Sequence, residues 1–455
     1  MEYLDFCICK VSLIYLRLNV YIYELIFPEM KKYYLRTLII ALPAITMNIQ
    51  SYGQFRVDAQ LRDRFEIRDG YQKLAPKGAV PAVFISQRTR LTVGYENDWL
   101  KFRITPQDVR IWGDEHNVTL YGNAGDTAAM DVYEAFAEVK IGQSLSLKAG
   151  RQQLTYDNDF LFATGNWNQN GYASDAVVLK LILSGWNIHA GSTWNTLSES
   201  YSDNLYPTDR YKSLSFLWVN REITGNLKGS LLHITTGRTA TDTTNRMNFR
   251  HTTGFYAAFT QEKIDAWGNF YYQYGKSQPG KSVNAFLFAL NVRYKTDFLS
   301  PCVAITYLSG NKETGAGQTN DHLFDPIYTS RHTYFGFMDY FKIFATNTKQ
   351  GGLADYYYYL DFRISRAANI RNIGHYFMLA QTNPSTPADK KLGYENDLIF
   401  KYKINDWVAL EGGYLFFLPT ETLKTIQHVP DNKFSQFLYV MLTLTPELFK
   451  QQSQQ

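Results

Sequence analysis

From Phe55 to Asp69 the chain reads FRVDAQLRDRFEIRD. Side chains of an extended strand alternate between two faces. Here Phe55, Val57, Ala59, Leu61, Phe65 and Ile67 share one face, and Arg56, Asp58, Gln60, Arg62, Arg64, Glu66 and Arg68 the other. Between Phe55 and Arg68, Asp63 is the one residue out of step. Strands in soluble sheets usually run about 5 or 6 residues, so a stretch this long demands a reason. A barrel wall with lipid on one side and a polar lumen on the other supplies one.

The rest of the chain is consistent with that wall. No run of about 18 apolar residues occurs, which disfavours membrane helices, and mean hydropathy is negative. Yet 16% of the 455 residues are aromatic, mostly Tyr and Phe, as interfacial girdles require. No Pro/Gly/Ser-rich linker or shift of composition divides the chain, so one architecture is expected end to end. Tyr-rich strand ends such as DYYYYLDF, Asp355 to Phe362, suit an aromatic belt.

At Met30 begins MKKYYLRTLIIALPAITMNIQSYGQ, with a basic start, a short apolar core and small residues at Ser51 and Gly53. This is the layout of a secretory signal peptide over 30–53, cleaved after Gly53. Residues 1–29 resemble neither a signal nor a strand, and are read as a mis-assigned extension upstream of the true start at Met30. An uncleaved N-terminal anchor is the alternative. Cys7 and Cys9 fall in that extension, which leaves Cys302 as the one cysteine of the mature chain. No intramolecular disulfide or lipid-bearing cysteine is then available.

Counting alternating segments and the breaks between them gives tight turns at Asn97-Asp98, Gly142-Gln143, Gly185-Trp186, Glu262-Lys263, Ala367 to Asn369 and Asn405-Asp406. Long polar connections fall near 69–83, 112–130, 156–173, 198–210, 238–250, 276–282, 310–353, 382–390 and 419–432. Nine long connections imply nine hairpins, hence an all-β transmembrane antiparallel β-barrel of about eighteen strands over 54–455. Short turns at one end and long loops at the other are the bacterial outer-membrane pattern, the turns periplasmic and the loops extracellular. A soluble sandwich or propeller has shorter strands and no such asymmetry. Among the late strands, Tyr394, Leu398, Phe400, Tyr402 and Ile404 are expected to face lipid, with Glu395, Asp397, Lys401 and Lys403 inward.

Arginine on the lipid side costs roughly 2 to 4 kcal/mol at mid-depth, so the arginines of the first strand are assigned to the lumen. The same reasoning places Arg88 and Arg90, then Lys101 and Arg103, beside Arg56, Arg62, Arg64 and Arg68 on consecutive strands. A cationic lining concentrates anionic solutes, because charges in a narrow low-dielectric tube focus the field. Two readings stay open: an anion conduit, or ordinary wall ladders in which these cations pair with Asp58, Glu66, Glu96, Glu134 and Glu138.

GRQQLTYDNDFLFATGNWNQNGYASDAVVLKL, Gly150 to Leu181, and FDPIYTSRHTYFGFMDYF, Phe324 to Phe341, resemble the alginate export family of outer-membrane barrels. They share its Gly-Arg-Gln strand end, Tyr-Asp loop start, Trp-rich loop and late aromatic-His-Tyr-x-Gly-x-x-Asp pattern. The closing QFLYVMLTLTP is also similar. The resemblance spans 54–449 and implies an eighteen-stranded barrel with an arginine-rich lumen passing an acidic exopolysaccharide. It carries over Arg151, Asp157 and Asp175 as conduit or loop residues, and His332, Tyr334 and Asp339 as part of a loop that folds inward as a constriction. In one respect the chain departs from the family: Glu395, Asp397 and Glu411 make this lumen less densely basic than a dedicated alginate exporter's, which leaves a general anion or saccharide porin open.

The chain has no zinc, phosphate-loop or nucleic-acid signature. Asp157-Asn158-Asp159 lacks the Gly and terminal Glu of an EF-hand. His375 and Ser365 lie on neighbouring predicted strands, but a lone His beside many Ser is expected by chance, so no enzyme activity, metal or cofactor is expected. The expected partners are outer-membrane lipid, the barrel-assembly machinery, and an anionic polysaccharide or small anionic solute, with the chain a monomer. The competing reading is a surface receptor or adhesin with a plugged lumen that binds through the 310–353 loop.

Overall fold

The computed structural model describes residues 53–113, 130–202 and 205–451. The predicted extension and leader, up to residue 52, lie outside the described residues, as does most of the 112–130 loop.

The wall consists of β1 (Gln54–Asp69), β2 (Ala82–Glu96), β3 (Leu100–Ile111), β4 (Met130–Ile141), β5 (Leu145–Gln152), β6 (Ser174–Leu183), β7 (Trp186–Trp194), β8 (Ser213–Thr224), β9 (Leu227–Thr239), β10 (Met247–Thr260), β11 (Ile264–Lys276), β12 (Ser282–Tyr294) and β13 (Leu299–Leu308). After the two-residue β14 (Asn320–Asp321) it resumes with β15 (Leu353–Arg363), β16 (Ala368–Met378), β17 (Lys391–Lys403), β18 (Val408–Pro419) and β19 (Ser435–Leu444), and ends at β20 (Glu447–Lys450). Each wall strand pairs antiparallel with the next, β13 passing directly to β15. The first and last strands then meet at pairs such as Phe65↔Val440, and β20 extends that seam at Val57↔Phe449. The result is a closed eighteen-strand antiparallel barrel with no free edge.

Alternation places the two faces as expected. Along β12 the residues Phe286, Phe288, Leu290 and Val292 are exposed, while the interleaved Ala285, Leu287 and Ala289 are buried. Exposed apolar side chains on the outside of a closed wall are its lipid belt. Through the middle of β1 the buried residues are Arg62, Arg64 and Glu66, so the arginine face is inward, and Asp69 is buried at the strand's end. Asp63, the residue out of step, lies on the outer face in register with Gln87. Phe55 and Phe449 meet across the seam near the short-turn end, their rings 6.4 Å apart.

The long-loop end of the barrel is filled. Phe160 and Phe162 from the β5–β6 loop, with Phe324, Phe335, Met338, Tyr340 and Phe341 from the 309–352 loop, pack in one buried cluster with Phe377, Phe417 and Phe437 of the wall. Fully burying an aromatic side chain contributes about 1.5–3 kcal/mol, so this cluster holds both loops inside the mouth. The backbones of the two loops also pair: Phe162 bridges Tyr328, whose N–H donates to the Leu161 carbonyl at 3.1 Å.

Candidate functional site: a plug gripped by the wall

The inward arginines of β1 and β2 close on the main chain of the β5–β6 loop. Arg62 donates through Nη1 to the Asn166 carbonyl at 2.6 Å, through Nη2 to those of Trp167 and Asn168 at 3.4 and 3.1 Å, and through Nε to Gln169 Oε1 at 2.9 Å. Arg64 donates to the Trp167 carbonyl at 2.7 Å, Arg88 to that of Gln169 at 3.4 Å and Arg90 to that of Asn170 at 2.9 Å. Gln169 in turn donates to Ser86 Oγ at 2.9 Å. The planar, forked guanidinium suits this task, since it presents several donors at fixed angles to several acceptors. Arg64 also pairs with Glu66 at 2.7 Å, whereas Arg62, Arg88 and Arg90 form no ion pair among the described residues.

Across the lumen the chemistry is reversed. Glu395 and Asp397, inward on β17, accept backbone N–H groups of the late loop, from Met338 at 2.8 Å and Phe337 at 3.4 Å respectively. Behind them His375 Nδ1 contacts Asp355 at 2.9 Å. Gly336 makes the approach to the wall possible: its φ is +86°, and a Cβ there would lie 2.5 Å from a Glu395 carboxylate oxygen.

Between the two grips sits a polar cluster. Asp339 accepts from the Tyr71 hydroxyl and lies 3.2 Å from His332 Nδ1 and 3.3 Å from Lys342 Nζ. Burial opposes its charge, but His332, Lys342 and Tyr71 outweigh that and hold its carboxyl below the usual range. Burial lowers the His332 imidazole, with Arg64 and Lys342 adding to the effect against Asp339. Tyr340 donates to the Gly70 carbonyl at 2.6 Å and Gln72 N–H to the Met338 carbonyl at 2.9 Å. The β1–β2 loop thereby joins the plug.

The remaining sequence-assigned residues divide. Arg56 pairs with Asp58 at 2.8 Å and Glu447 at 3.2 Å, Lys101 with Glu96 at 3.1 Å, and Arg103 with Glu134 at 3.5 Å; all face inward near the short-turn half. Arg68 pairs with Glu66 at 2.7 Å and covers the Tyr71 ring. Tyr334 donates to the Asn158 carbonyl, and His332, Tyr334 and Asp339 all belong to the inward loop. Asp157 is a half-buried acceptor for Trp218 Nε1 at 2.9 Å and Ser230 Oγ at 2.6 Å, and burial pushes its carboxyl up. Ser365 lies in the short turn before β16 while His375 is buried near the opposite end of that strand, so the two form no dyad.

Arg151 and Asp175 are a correction. Neither lines the lumen: Arg151 shares its face of β5 with the exposed Leu147, and Asp175 shares its face of β6 with the exposed Val177 and Leu179. They pair on the outside of the wall at 3.0 Å. The signal was present in the sequence as the step Leu147, Ala149, Arg151, opposite to Lys148 and Gln152. Sequence reasoning also passed over the amides at Asn166 and Gln169, which have no alternating strand to give them a face.

A closed wall with a lipid belt, short turns at one end and inward-folded long loops at the other defines an outer-membrane barrel of the channel type. The chain belongs to the alginate export family, whose model, described as Alginate export, matches residues 54–433. Among solved structures it is similar to Acinetobacter baumannii OccAB4, at 11% identity and a TM-score of 0.59, over 88% of this chain and 100% of that one. Pseudomonas aeruginosa OpdL gives 13% identity and a TM-score of 0.58 over 87% and 99%. Pseudomonas aeruginosa OpdO gives 11% and 0.57 over 87% and 98%. No curated protein matches the sequence.

Proposed function

We propose that the barrel passively conducts an anionic polysaccharide or a related anionic solute through its lumen, with the cations of the early strands supplying the selectivity. The observation that carries this reading is the surplus of inward cations on β1–β5. Arg62, Arg88 and Arg90 have only neutral oxygens as hydrogen-bond acceptors, and Lys148 lies over the Phe136 ring at 3.8 Å. Cations satisfied by carbonyl oxygens keep their full charge, which a pore interior focuses on whatever passes. The inward fold of the 309–352 loop supports a constriction rather than a protruding binding surface. The family membership agrees with a saccharide cargo, and the acidic wall at Glu395 and Asp397 favours a solute less highly charged than a dense polyanion.

The test is reversal potential across a planar bilayer under a salt gradient, with block by an added uronic-acid polymer. Anion selectivity that collapses in Arg62→Glu with Arg64→Glu is expected; cation selectivity indifferent to those changes would overturn the reading. The dense aromatic packing of the plug supports a second function, a closed receptor or adhesin, to which a complete lack of conductance would point. The reading also entails a leader cleaved after Gly53, insertion by the barrel-assembly machinery and a monomeric pore. The mature N-terminus and the mass of the detergent complex check the first and last of these.

A further inference from the structure

Two cavities open between the long loops, of about 380 and 450 Å³, and they share two lining residues, Tyr172 and Arg331. Each falls within the roughly 300–1,000 Å³ range of small-ligand sites. The first is lined entirely by residues of the three loops that build the plug, so it lies on the loop side of the constriction.

Its cations are not equivalent. Lys342 pairs with Asp339 at 3.3 Å, and in the second cavity Arg238 pairs with Asp325 at 3.3 Å. Arg331 forms no ion pair among the described residues. Among the described residues its side chain makes one hydrogen bond, from Nη2 to the Ile327 carbonyl at 3.3 Å, and its Nε is buried without a partner. A guanidinium so placed lacks the planar acceptor it is built to bind. Around it, Gln72, Asn168, Ser330 and Asn347 offer amides and a hydroxyl. Trp167 has one ring face against His332 and Arg64 over the other, which leaves the half-buried Tyr172 as the second large aromatic ring of the lining. The Tyr172 ring lies against Gly165, where a Cβ would come within 2.5 Å of it.

We propose that Arg331 is the carboxylate-binding residue of a loop-side subsite for an acidic sugar unit, with Tyr172 as the surface for the sugar's apolar face. The carboxylate meets the guanidinium, the ring hydroxyls meet the amides, and neutral sugars gain only the second set of contacts. This rests on the conduit reading for its substrate class but concerns a different place, the cavity among the plug's loops rather than the arginines of the wall.

The test is calorimetric titration of the refolded, detergent-held barrel with an oligogalacturonate and, separately, a maltooligosaccharide of equal length. Wild type is expected to prefer the acidic oligomer by about tenfold, the ratio that one well-placed charged contact supplies. Arg331→Gln removes that preference, Arg331→Lys keeps much of it, and Tyr172→Ala weakens both sugars alike. Equal affinity of wild type for the two oligomers, or a preference that survives Arg331→Gln, overturns the subsite. The bilayer experiment fails or succeeds separately: anion selectivity with no Arg331 effect removes the subsite alone, whereas acidic-sugar preference in a cation-selective pore removes the conduit alone.

Discussion

The Trp167 indole lies parallel to the His332 imidazole, ring centroids 3.8 Å apart and planes inclined by 8°. Arg64 approaches the same ring to 3.9 Å, and two groups that close to one centroid must take opposite faces. The indole therefore joins a wall strand, the β5–β6 loop and the 309–352 loop in a single stack.

Trp167→Ala is expected to undock the plug without unfolding the wall. Truncating a packed tryptophan costs about 3–5 kcal/mol, and here the loss falls on the contact between loops. Single-channel recording should show larger and noisier currents, with far-ultraviolet circular dichroism unchanged. Currents identical to wild type would mean that the stack does not hold the loops.

Arg62→Gln removes the donors to three successive loop carbonyls. A hydrogen bond to a charged group contributes about 1.5–3 kcal/mol, so the 165–170 segment should become protease-sensitive in the refolded barrel. Arg62→Lys should rescue it poorly, because an ammonium cannot span several acceptors in fixed geometry. Equal cleavage rates in all three proteins would refute the grip.

Acid should loosen the plug. The docked His332 is held below its free value near 6.5, so as pH falls through that value the undocked loop takes up a proton that the docked one refuses. Asp339 is depressed, so its contribution, present above its unfolded value near 3.9, is lost on further acidification. Both terms have the same sign. Channel noise should rise from pH 7.5 to pH 5 in wild type and stay flat over that range in His332→Gln; an equal rise in both would exclude His332 as the cause.

Gly336→Ala should detach the late loop from β17. The positive φ alone costs a residue with a side chain about 1–2 kcal/mol, and the added methyl meets the Glu395 carboxylate. Hydrogen exchange at the Phe337 and Met338 amides should accelerate, while exchange in the β16–β17 ladder stays as in wild type.

Arg151→Gln is the control for the face assignment. An exposed ion pair contributes about 0–1 kcal/mol, and a charge outside the wall does not act on the pore. Reversal potential should be unchanged. A shift comparable to that of an Arg62 change would return Arg151 to the lumen.

The wall was legible because its period is fixed: a residue two steps along a strand must share its face, so Arg62, Arg64, Arg88 and Glu395 could be placed from spacing alone. Arg151 was misplaced where a motif was followed in preference to the same alternation, which Leu147 and Ala149 already specified. The plug was legible only as a long late loop with aromatic content. Its docking depends on contacts between residues more than a hundred positions apart, such as Arg62 with Asn166 and Tyr71 with Asp339, and no local period encodes those. The sequence also offered two outcomes for the early arginines, free lining or ladder. The fold holds the ladder for Arg56, Arg68, Lys101 and Arg103, and for Arg62, Arg64, Arg88 and Arg90 a third outcome, in which arginine side chains coordinate loop carbonyls.

That third outcome has a consequence for how such a protein can diversify. The wall holds its closure by main-chain atoms: carbonyls of Asn166, Trp167 and Asn168 on one side, amides of Phe337 and Met338 on the other. Every residue has a carbonyl, and every residue but proline an amide hydrogen. The Asn168 side chain, which bonds only Tyr172 of its own loop, can therefore be rewritten without losing its carbonyl's bond to Arg62, whereas Trp167 and Met338 are held by side chain and main chain alike.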